Sequence, residues 1–266
     1  MKVIRGDSWR VRAGRGIRSL SEGPFRWVAP VIYPVVIGAE LAVARTLDRK
    51  DHPLPSPEEQ AELTSRVSMI VKTFERPATV RRLVRTVRTI FTGRIIVADD
   101  SREPLTDLGA GVDIVALPFN VGLSAGRNAA LDRVDTEFVF VTDDDTVFTR
   151  GSDIVAMVQY LDAHPDVDLI APQLVNLPYM YAVDYRNQSL FPGAKPPLRQ
   201  VGEEVGGAIV VSKVANVFLA RTESIKAIRW DDDLRLVEHR DFFSRASGRL
   251  VCVQAEGVRA YHVRTP

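Results

Sequence analysis

The sequence predicts an α/β protein with a single mixed, mostly parallel sheet that is flanked by helices. Short apolar runs alternate with segments of helical periodicity from position 66 to about position 171, which is typical of a parallel sheet with crossover helices. The chain has 266 residues, of which 45% are hydrophobic and 26% charged. It is therefore long enough to bury a sizeable core, as one large domain or two small ones.

The alternation starts with a short apolar strand over residues 67–71. Pro77 then opens a helix, because the apolar residues that follow recur at helical spacing with arginines between them. The remaining predicted strands cover residues 94–98, 112–117, 138–141 and 167–171, and the remaining predicted helices cover residues 124–133 and 152–163. After residue 171 the alternation is lost.

The N-terminal arm, residues 1–50, combines a basic segment with a short apolar one. Residues 1–26 hold seven basic residues against two acidic ones, a local charge of +5. The apolar run 27–39 contains Pro30 and Pro34, and its 13 residues fall short of the roughly 20 that a spanning helix needs. We therefore predict no transmembrane helix. An interfacial anchor on an anionic membrane and an arm packed on the domain remain open, with a signal peptide as a third reading.

Residues 51–65 carry Pro53, Pro55 and Pro57 and predict an extended linker before the folded unit.

The formal net charge of +1 gives no reason to expect nucleic acid as a partner. Cys252 is the one cysteine, so no internal disulfide is possible and a buried structural thiol is expected. The chain thus fits a reducing compartment, and we expect a cytoplasmic location, with attachment to the inner face of the membrane as an extension of that expectation.

Acidic residues follow two of the predicted strands. Asp143, Asp144 and Asp145 come directly after the run 138–141, and an Asp pair follows the run 94–98. In open α/β sheets the residues at the carboxyl ends of the strands share one cleft. Carboxylates there suit Mg²⁺ or Mn²⁺ that bridges phosphate oxygens, whereas ordinary acidic turns are the structural alternative.

Four stretches in this order resemble the nucleotide-sugar half of family 2 glycosyltransferases with the GT-A fold. They are IVKTFERP at 70–77, VADDS at 97–101, NVGLSAGRN at 120–128 and VTDDD at 141–145. The further runs ANVFLAR at 215–221 and LVEHRDFF at 236–243 resemble the β-1,4-N-acetylgalactosaminyltransferases. The resemblance covers about residues 66–264 and implies a nucleotide-sugar-binding half over 66–150 and an acceptor-binding half over 151–266.

The resemblance implies a metal site with Mn²⁺ or Mg²⁺ as the cofactor. Asp143 and Asp145 would be the outer acids of the DxD motif, with Asp145 as the direct ligand, and Asp144 would lie close to the ribose or the sugar. In similar enzymes a late histidine completes the metal shell, and here His262 follows a strand-like run. A purely structural histidine is an equal alternative.

The resemblance also implies the residues that hold the nucleotide. Thr73 and Arg76 would border it, Asp100 or Asp99 would hold the uracil edge, and Arg127 would approach the diphosphate or the donor sugar. The alternatives are solvated surface charges for the arginines and a turn after the strand for the Asp pair.

Three residues of the second half are candidates for the catalytic base. A helix that begins near residue 238 would place Glu238 and Asp241 on one face, with His239 beside them. Related enzymes carry a Glu-Asp pair here, and His239 stands in its second position. We rank Asp241 first, then Glu238, then His239, while a helix N-terminus enriched in acids for its dipole is the structural alternative.

Together these features predict a metal-dependent, inverting glycosyltransferase. It would move a sugar from a nucleotide sugar, most simply a UDP-sugar, to the hydroxyl of a glycan or lipid-linked acceptor at a membrane surface. Two alternatives come from other classes: a sugar-phosphate nucleotidyltransferase, and a non-catalytic scaffold that retains the fold. The first would need a glycine-rich loop after the first strand, and residues 72–77 contain no glycine.

Overall fold

The computed structural model describes residues 16, 26–179, 181–182, 185–235 and 237–263. Its α-helices, in chain order, are α1 (Ala29–Asp51), α2 (Pro57–Arg66), α3 (Pro77–Val87), α4 (Leu123–Leu131), α5 (Ile154–Ala163), α6 (Thr222–Ile228) and α7 (Glu238–Ala246). Single 3₁₀ turns cover Arg26–Val28, directly before α1, and Tyr185–Asn187.

The strands of the described residues form one sheet. They are β1 (Val67–Thr73), β2 (Ile95–Asp99), β3 (Val112–Ala116), β4 (Phe138–Asp143), β5 (Thr146–Val147), β6 (Leu169–Leu177), β7 (Tyr181–Ala182), β8 (Glu204–Val205), β9 (Ala208–Val210), β10 (Phe218–Arg221) and β11 (Cys252–Val263). The order across the sheet is β3-β2-β1-β4-β10-β6-β11-β9-β8, with β5 on β11 and β7 on β6.

The sheet is mixed, as predicted. β3, β2, β1 and β4 are mutually parallel, and so are β6 and β11. β10 lies antiparallel between β4 and β6 and joins the two parallel parts. The predicted α/β class with a mixed, mostly parallel sheet is therefore confirmed.

The central strands are buried along their whole length and mostly apolar, because both faces of the sheet are covered. Every residue of β1 and β2 is buried. This is the signature of a parallel strand between helical layers, and it explains why the sequence shows continuous apolar runs rather than alternation. The predicted strands and helices of the first half are present, with ends shifted by a few residues, and β6 extends six residues beyond the predicted end at residue 171.

The predicted extended linker over 51–65 is wrong for most of its length. Asp51 still belongs to α1, and α2 begins at Pro57. Ser56 accepts a hydrogen bond from the Glu59 backbone N–H at 3.2 Å, and the Glu59 carboxylate accepts one from the Ser56 N–H at 2.7 Å. This capping box, with proline at the first helical position, favours a helix where proline content alone indicated none. Only residues 52–56 connect the two helices.

α1 has 23 residues and extends beyond the charge-free run 27–39. Pro34 lies inside the helix and Glu40 does not end it. The stretch Pro30–Asp51 is long and apolar enough to cross a membrane by length and composition, although a signal sequence or a core helix would pass the same criteria. The prediction that the apolar segment is too short to span a membrane is therefore wrong. Most of the basic residues of the arm, in 1–15 and 17–25, lie outside the described residues.

One face of α1 packs on the domain. Leu41 and Ala44 join a buried cluster with side chains of β5, β6 and β11. The hydroxyls of Tyr33 and Tyr179 lie 2.7 Å apart and hydrogen-bond to each other. Another face exposes the large apolar side chains Val31 and Val35, and Trp27 in the turn directly before the helix is exposed as well. The helix is thus bound on one side and apolar toward solvent on the other.

Candidate active site

A cavity of about 390 Å³ opens at the carboxyl ends of β1 and β4. This is the edge of the sheet where the sequence predicted a shared cleft. The residues that line it are Lys72, Thr73, Phe74, Arg76, Leu123, Arg127, Asp143, Asp144, Asp145, Asn216, Glu238 and His262. The lining combines acidic and basic side chains, so it suits a ligand that carries both charge and hydrogen-bonding groups.

Asp144 is the most enclosed of the three consecutive acids. The Thr73 hydroxyl donates to one carboxylate oxygen at 2.7 Å, and Arg76 donates to the other at 2.9 Å. Burial raises the pKa of Asp144, and the contacts from Thr73 and Arg76 partly offset that effect. The predicted grouping of Thr73 and Arg76 with the acid triplet is present in the structure.

Asp145 lies beside His262, with 3.3 Å between a carboxylate oxygen and Nε2. Two strand registers produce this contact: His262 pairs with Thr146 of β5 and with Asn176 of β6. The Asn176 side-chain oxygen lies 2.8 Å from His262 Nδ1 and orients the ring. Although burial opposes its charge, Asp145 has a lowered pKa because His262 and Arg76 interact favourably with the carboxylate.

Asp145 and His262 fit a divalent cation. A carboxylate oxygen and an imidazole nitrogen suit Mn²⁺, and the contact of Asn176 with the second ring nitrogen is the support that metal-bound histidines have. No group of three or more His, Cys, Asp or Glu side chains arranged for a metal exists among the described residues. The remaining ligands would therefore come from phosphate oxygens, which is how Mg²⁺ and similar ions bind at nucleotide sites.

Arg127 lies deep in the cavity between two acids. It donates to Glu238 at 2.8 Å and to Asp143 at 2.6 Å, and its guanidinium lies 5.8 Å from the centre of the Trp230 ring. Burial works against its charge, but Asp143 and Glu238 outweigh burial and raise the pKa of Arg127. Arg127 therefore stays cationic and links the acid triplet to the second half of the chain.

The Asp pair after β2 serves two different purposes. Asp99 accepts hydrogen bonds from the backbone N–H groups of Ser101 and Leu105, so it holds its own loop and does not line the cavity. Asp100 is also absent from the lining, but it forms a buried ion pair with Lys72, which does line it. Of the two, only Asp100 connects to the cavity.

Two glycines allow the close packing around Lys72. Gly122 has a φ of +105° and donates its N–H to Asp100 at 3.1 Å. A Cβ on Gly126 would lie 2.5 Å from the Lys72 side chain. Since Lys72 is held by Asp100, it has little freedom to move aside.

The three candidate bases have different surroundings. Glu238 lines the cavity, whereas Asp241 is turned away and binds Arg245, four residues along the same helix, at 2.7 Å. His239 Nδ1 lies 2.8 Å from the Asn216 side-chain oxygen. Burial, together with the charges of Lys213 and Arg127, lowers the pKa of His239 to about 3, so the ring is neutral near pH 7. The ranking of Asp241 first remains a prediction, but Glu238 is the acid of α7 that reaches the cavity.

Several residues of the site have no catalytic signal of their own in the sequence. Asn216 and Asn176 each contact a histidine Nδ1, and Phe74 packs against Phe119 with ring centroids 5.6 Å apart. Asn216 lies within ANVFLAR, which the family resemblance had marked. By contrast, Trp230 stacks on Phe242 and is buried, so it belongs to the core rather than to a sugar-binding surface.

Residues 68–198 match the family model described as Glycosyl transferase family 2. The chain is similar to Beta-1,4 N-acetylgalactosaminyltransferase 2 of Mus musculus, with 32% identity over 217 residues that cover 80% of this chain and 42% of that protein. It is also similar to Beta-1,4 N-acetylgalactosaminyltransferase 1 of Homo sapiens, with 34% identity over 72% of this chain and 38% of that protein. The chain thus spans about two fifths of the length of these relatives.

Among solved structures, S. aureus TarS residues 1–349 superposes with a TM-score of 0.53 at 18% identity, covering 74% of this chain and 60% of that chain. The same protein in complex with UDP-GlcNAc gives a TM-score of 0.53 at 18% identity, covering 76% of this chain and 59% of that chain. At this identity the likeness shows the fold, and it agrees with the mixed sheet described above.

Proposed function

This chain contains a glycosyl transferase family 2 domain, and on that premise we propose that it transfers a sugar from a nucleotide sugar to an acceptor hydroxyl. The curated relatives are named for N-acetylgalactosaminyl transfer, and TarS has been solved with UDP-GlcNAc. We therefore propose a UDP-N-acetylhexosamine as the donor and a glycan or lipid-linked molecule as the acceptor.

The single observation that carries this proposal is the grouping of acids and cations at one strand edge. Asp143, Asp144 and Asp145 share the cavity with Arg76 and Arg127. A nucleotide diphosphate needs donors for its phosphate oxygens and a partner for its negative charge, and arginine supplies both. Arg76 has 43% of its side chain exposed, so it can reach a ligand while remaining near the acids.

A divalent cation held by Asp145 and His262, with Asp143 nearby, would supply neutralisation of the charge on the departing diphosphate. The chain's own residues position the rest of the donor. Phe74 offers an aromatic wall for the base, and Lys72, whose charge is paired with Asp100, forms another part of the lining. Thr73 holds Asp144 in place through its hydroxyl.

We propose Glu238 as the base that takes the proton from the acceptor hydroxyl, because it alone of the three candidates lines the cavity. The reaction is then a single displacement with inversion at the anomeric carbon. His239 is the second candidate: when Nδ1–H donates to Asn216, the neutral ring keeps a free lone pair on Nε2. Retained configuration in the product would contradict the single displacement.

The two acids in the first turn of α7 give a matched test of the base. Glu238→Gln should lower kcat by at least a hundredfold with little change in the KM for the donor, since general base catalysis contributes about 10²–10⁴-fold. Asp241→Asn serves as the control and should leave kcat within about twofold, because Asp241 binds Arg245 outside the cavity. Equal losses in both variants, or a loss only in Asp241→Asn, would refute the assignment.

The activity itself is tested by release of UDP from UDP-N-acetylhexosamines in the presence of Mn²⁺ or Mg²⁺. Asp145→Asn should abolish the metal-dependent release of UDP. Asp233 is exposed, so Asp233→Asn should release UDP as the unmodified chain does. Absence of both transfer and hydrolysis with every nucleotide sugar would favour the non-catalytic scaffold. Transfer of a nucleotidyl group from a nucleoside triphosphate would favour the nucleotidyltransferase.

We also propose that α1 holds the protein at a membrane surface, at the cytoplasmic face. Val31 and Val35 are exposed on this helix, and Trp27 is exposed in the turn directly before it. Replacing these three residues with serine should reduce sedimentation with lipid vesicles while UDP release is retained, because none of them lines the cavity. Unchanged sedimentation would contradict this role.

A further inference from the structure

A second cavity, of about 630 Å³, lies between α1, α3 and the segment after β5. Four arginines line it: Arg45 and Arg49 from α1, Arg85 from α3, and Arg150 from the segment after β5. No Asp or Glu among the described residues lines it, and it shares no lining residue with the acid-lined cavity. It is therefore a separate, strongly cationic site.

The four arginines have no ion pair and no side-chain hydrogen bond within the described part of the chain. Other arginines of this protein find carboxylates readily: Arg66 binds Asp162 at 2.6 Å, and Arg229 binds Asp132 at 2.5 Å. Four unpaired guanidinium groups around one cavity repel one another. A bound anion would relieve that repulsion.

The acid nearest in sequence to these arginines is committed elsewhere. Asp48 lies on α1 between Arg45 and Arg49, but it is buried, accepting a hydrogen bond from the Thr149 hydroxyl at 2.5 Å and another from Arg259 at 3.4 Å. Asp48 thus fixes α1 on the domain. Arg45 and Arg49 stand four residues apart on one face of the helix, a spacing at which like charges repel.

Apart from the arginines, two threonine hydroxyls on the wall of this cavity have already donated their protons within the protein. The Thr86 hydroxyl donates to the Leu83 carbonyl at 3.0 Å, and the Thr89 hydroxyl donates to the Thr86 carbonyl at 2.7 Å. Their protons are already used, so the guanidinium groups are the donors that a ligand would meet. Guanidinium groups match the oxygens of phosphate in pairs of parallel hydrogen bonds, and a phosphate carries more charge than a carboxylate.

We propose that this cavity binds a phosphate group. The group can belong to the headgroup of an anionic lipid or to a soluble phosphate compound, and both present the same oxygens to the arginines. The lipid source is supported by the exposed apolar side chains of α1, which lie on the same helix as Arg45 and Arg49. The site does not depend on the transferase activity, since it shares no residue with the acid-lined cavity.

The full chain and two charge-neutralised variants, Arg45→Gln/Arg49→Gln and Arg85→Gln/Arg150→Gln, should be titrated with inorganic phosphate and with pyrophosphate. EDTA in the buffer removes metal-dependent diphosphate binding at the acid-lined cavity. The same proteins should be sedimented with phosphatidylcholine vesicles, with and without phosphatidylglycerol. Arg133→Gln is the matched control, because Arg133 is exposed and lines neither cavity.

The unmodified chain should bind pyrophosphate, and each double variant should bind it at least tenfold more weakly, while the control stays within twofold. A parallel loss of binding to phosphatidylglycerol vesicles identifies the lipid headgroup as the source, whereas unchanged vesicle binding identifies a soluble phosphate. The proposal is overturned if the unmodified chain binds neither probe. It is also overturned if both double variants bind as the unmodified chain does, or if the control loses as much affinity as they do.

Discussion

Replacing Arg127 with methionine should lower the free energy of unfolding by about 3 kcal/mol. The methionine keeps much of the side-chain bulk beside Trp230 but removes the cation between two acids. Breaking a buried pair by removing one partner costs about 3–5 kcal/mol. The lower end applies here because Glu238 has only 8% of its side chain exposed, whereas Asp143 has 42% exposed and can be solvated instead.

Urea unfolding followed by circular dichroism would measure this cost. Arg229→Met is the control: Arg229 and Asp132 pair at 2.5 Å but have 39% and 54% of their side chains exposed, so the loss should stay within about 0–1 kcal/mol. The double variant Arg127→Met/Glu238→Gln should recover part of the stability, because the carboxylate left without its partner is then neutral. A loss for Arg127→Met no larger than that of the control would refute this reasoning.

Two further predictions concern the histidines of the site. Asn176→Ala should weaken Mn²⁺ binding by about 10–100-fold, because it removes the partner that orients His262 through Nδ1. Calorimetry with UDP present would measure this, and an unchanged Mn²⁺ affinity would contradict the prediction. His239 has a folded-state pKa of about 3, below its usual value near 6.5, so the unfolded chain binds the proton first and stability falls as pH drops below about 6.5. The loss of stability should be about 1.4 kcal/mol per pH unit. In urea unfolding between pH 7 and pH 5, the free energy of unfolding should depend less on pH for His239→Gln than for a His52→Gln control. Equal slopes in the two variants would contradict a buried neutral ring.

The strands of the first half could be predicted from the sequence because their physical cause is local. A parallel strand covered on both faces needs a mostly apolar run, and β1, β2 and β4 have one. The acids that follow β4 were predicted to reach the cleft for the same reason, since the end of such a strand can lie only at the edge of the sheet. The capping box at Ser56 is also a local signal, and it outweighs the three prolines that indicate an extended linker.

The pairing of distant residues could not be predicted in this way. Asp145 meets His262 only because β11 pairs with β5, and Asn176 joins them only because β11 also pairs with β6. Glu238 and Asp241 occupy the same turn of α7, and the sequence gives no means to tell which one faces the cavity. The position of Arg127 on the buried side of α4 decides that, because its guanidinium binds Glu238 while Arg245 binds Asp241.

The sequence by itself therefore determined the α/β class, the order of the first strands, the cleft edge where the acids gather and the family resemblance. All of these rest on periodicity and on residues close together in the chain. Only the tertiary structure decided which acid of α7 enters the cavity, which histidine stands beside Asp145, and that α1 brings two arginines to face Arg85 and Arg150. Those outcomes depend on contacts between elements far apart in the chain, and such contacts follow from strand register and helix packing rather than from local pattern.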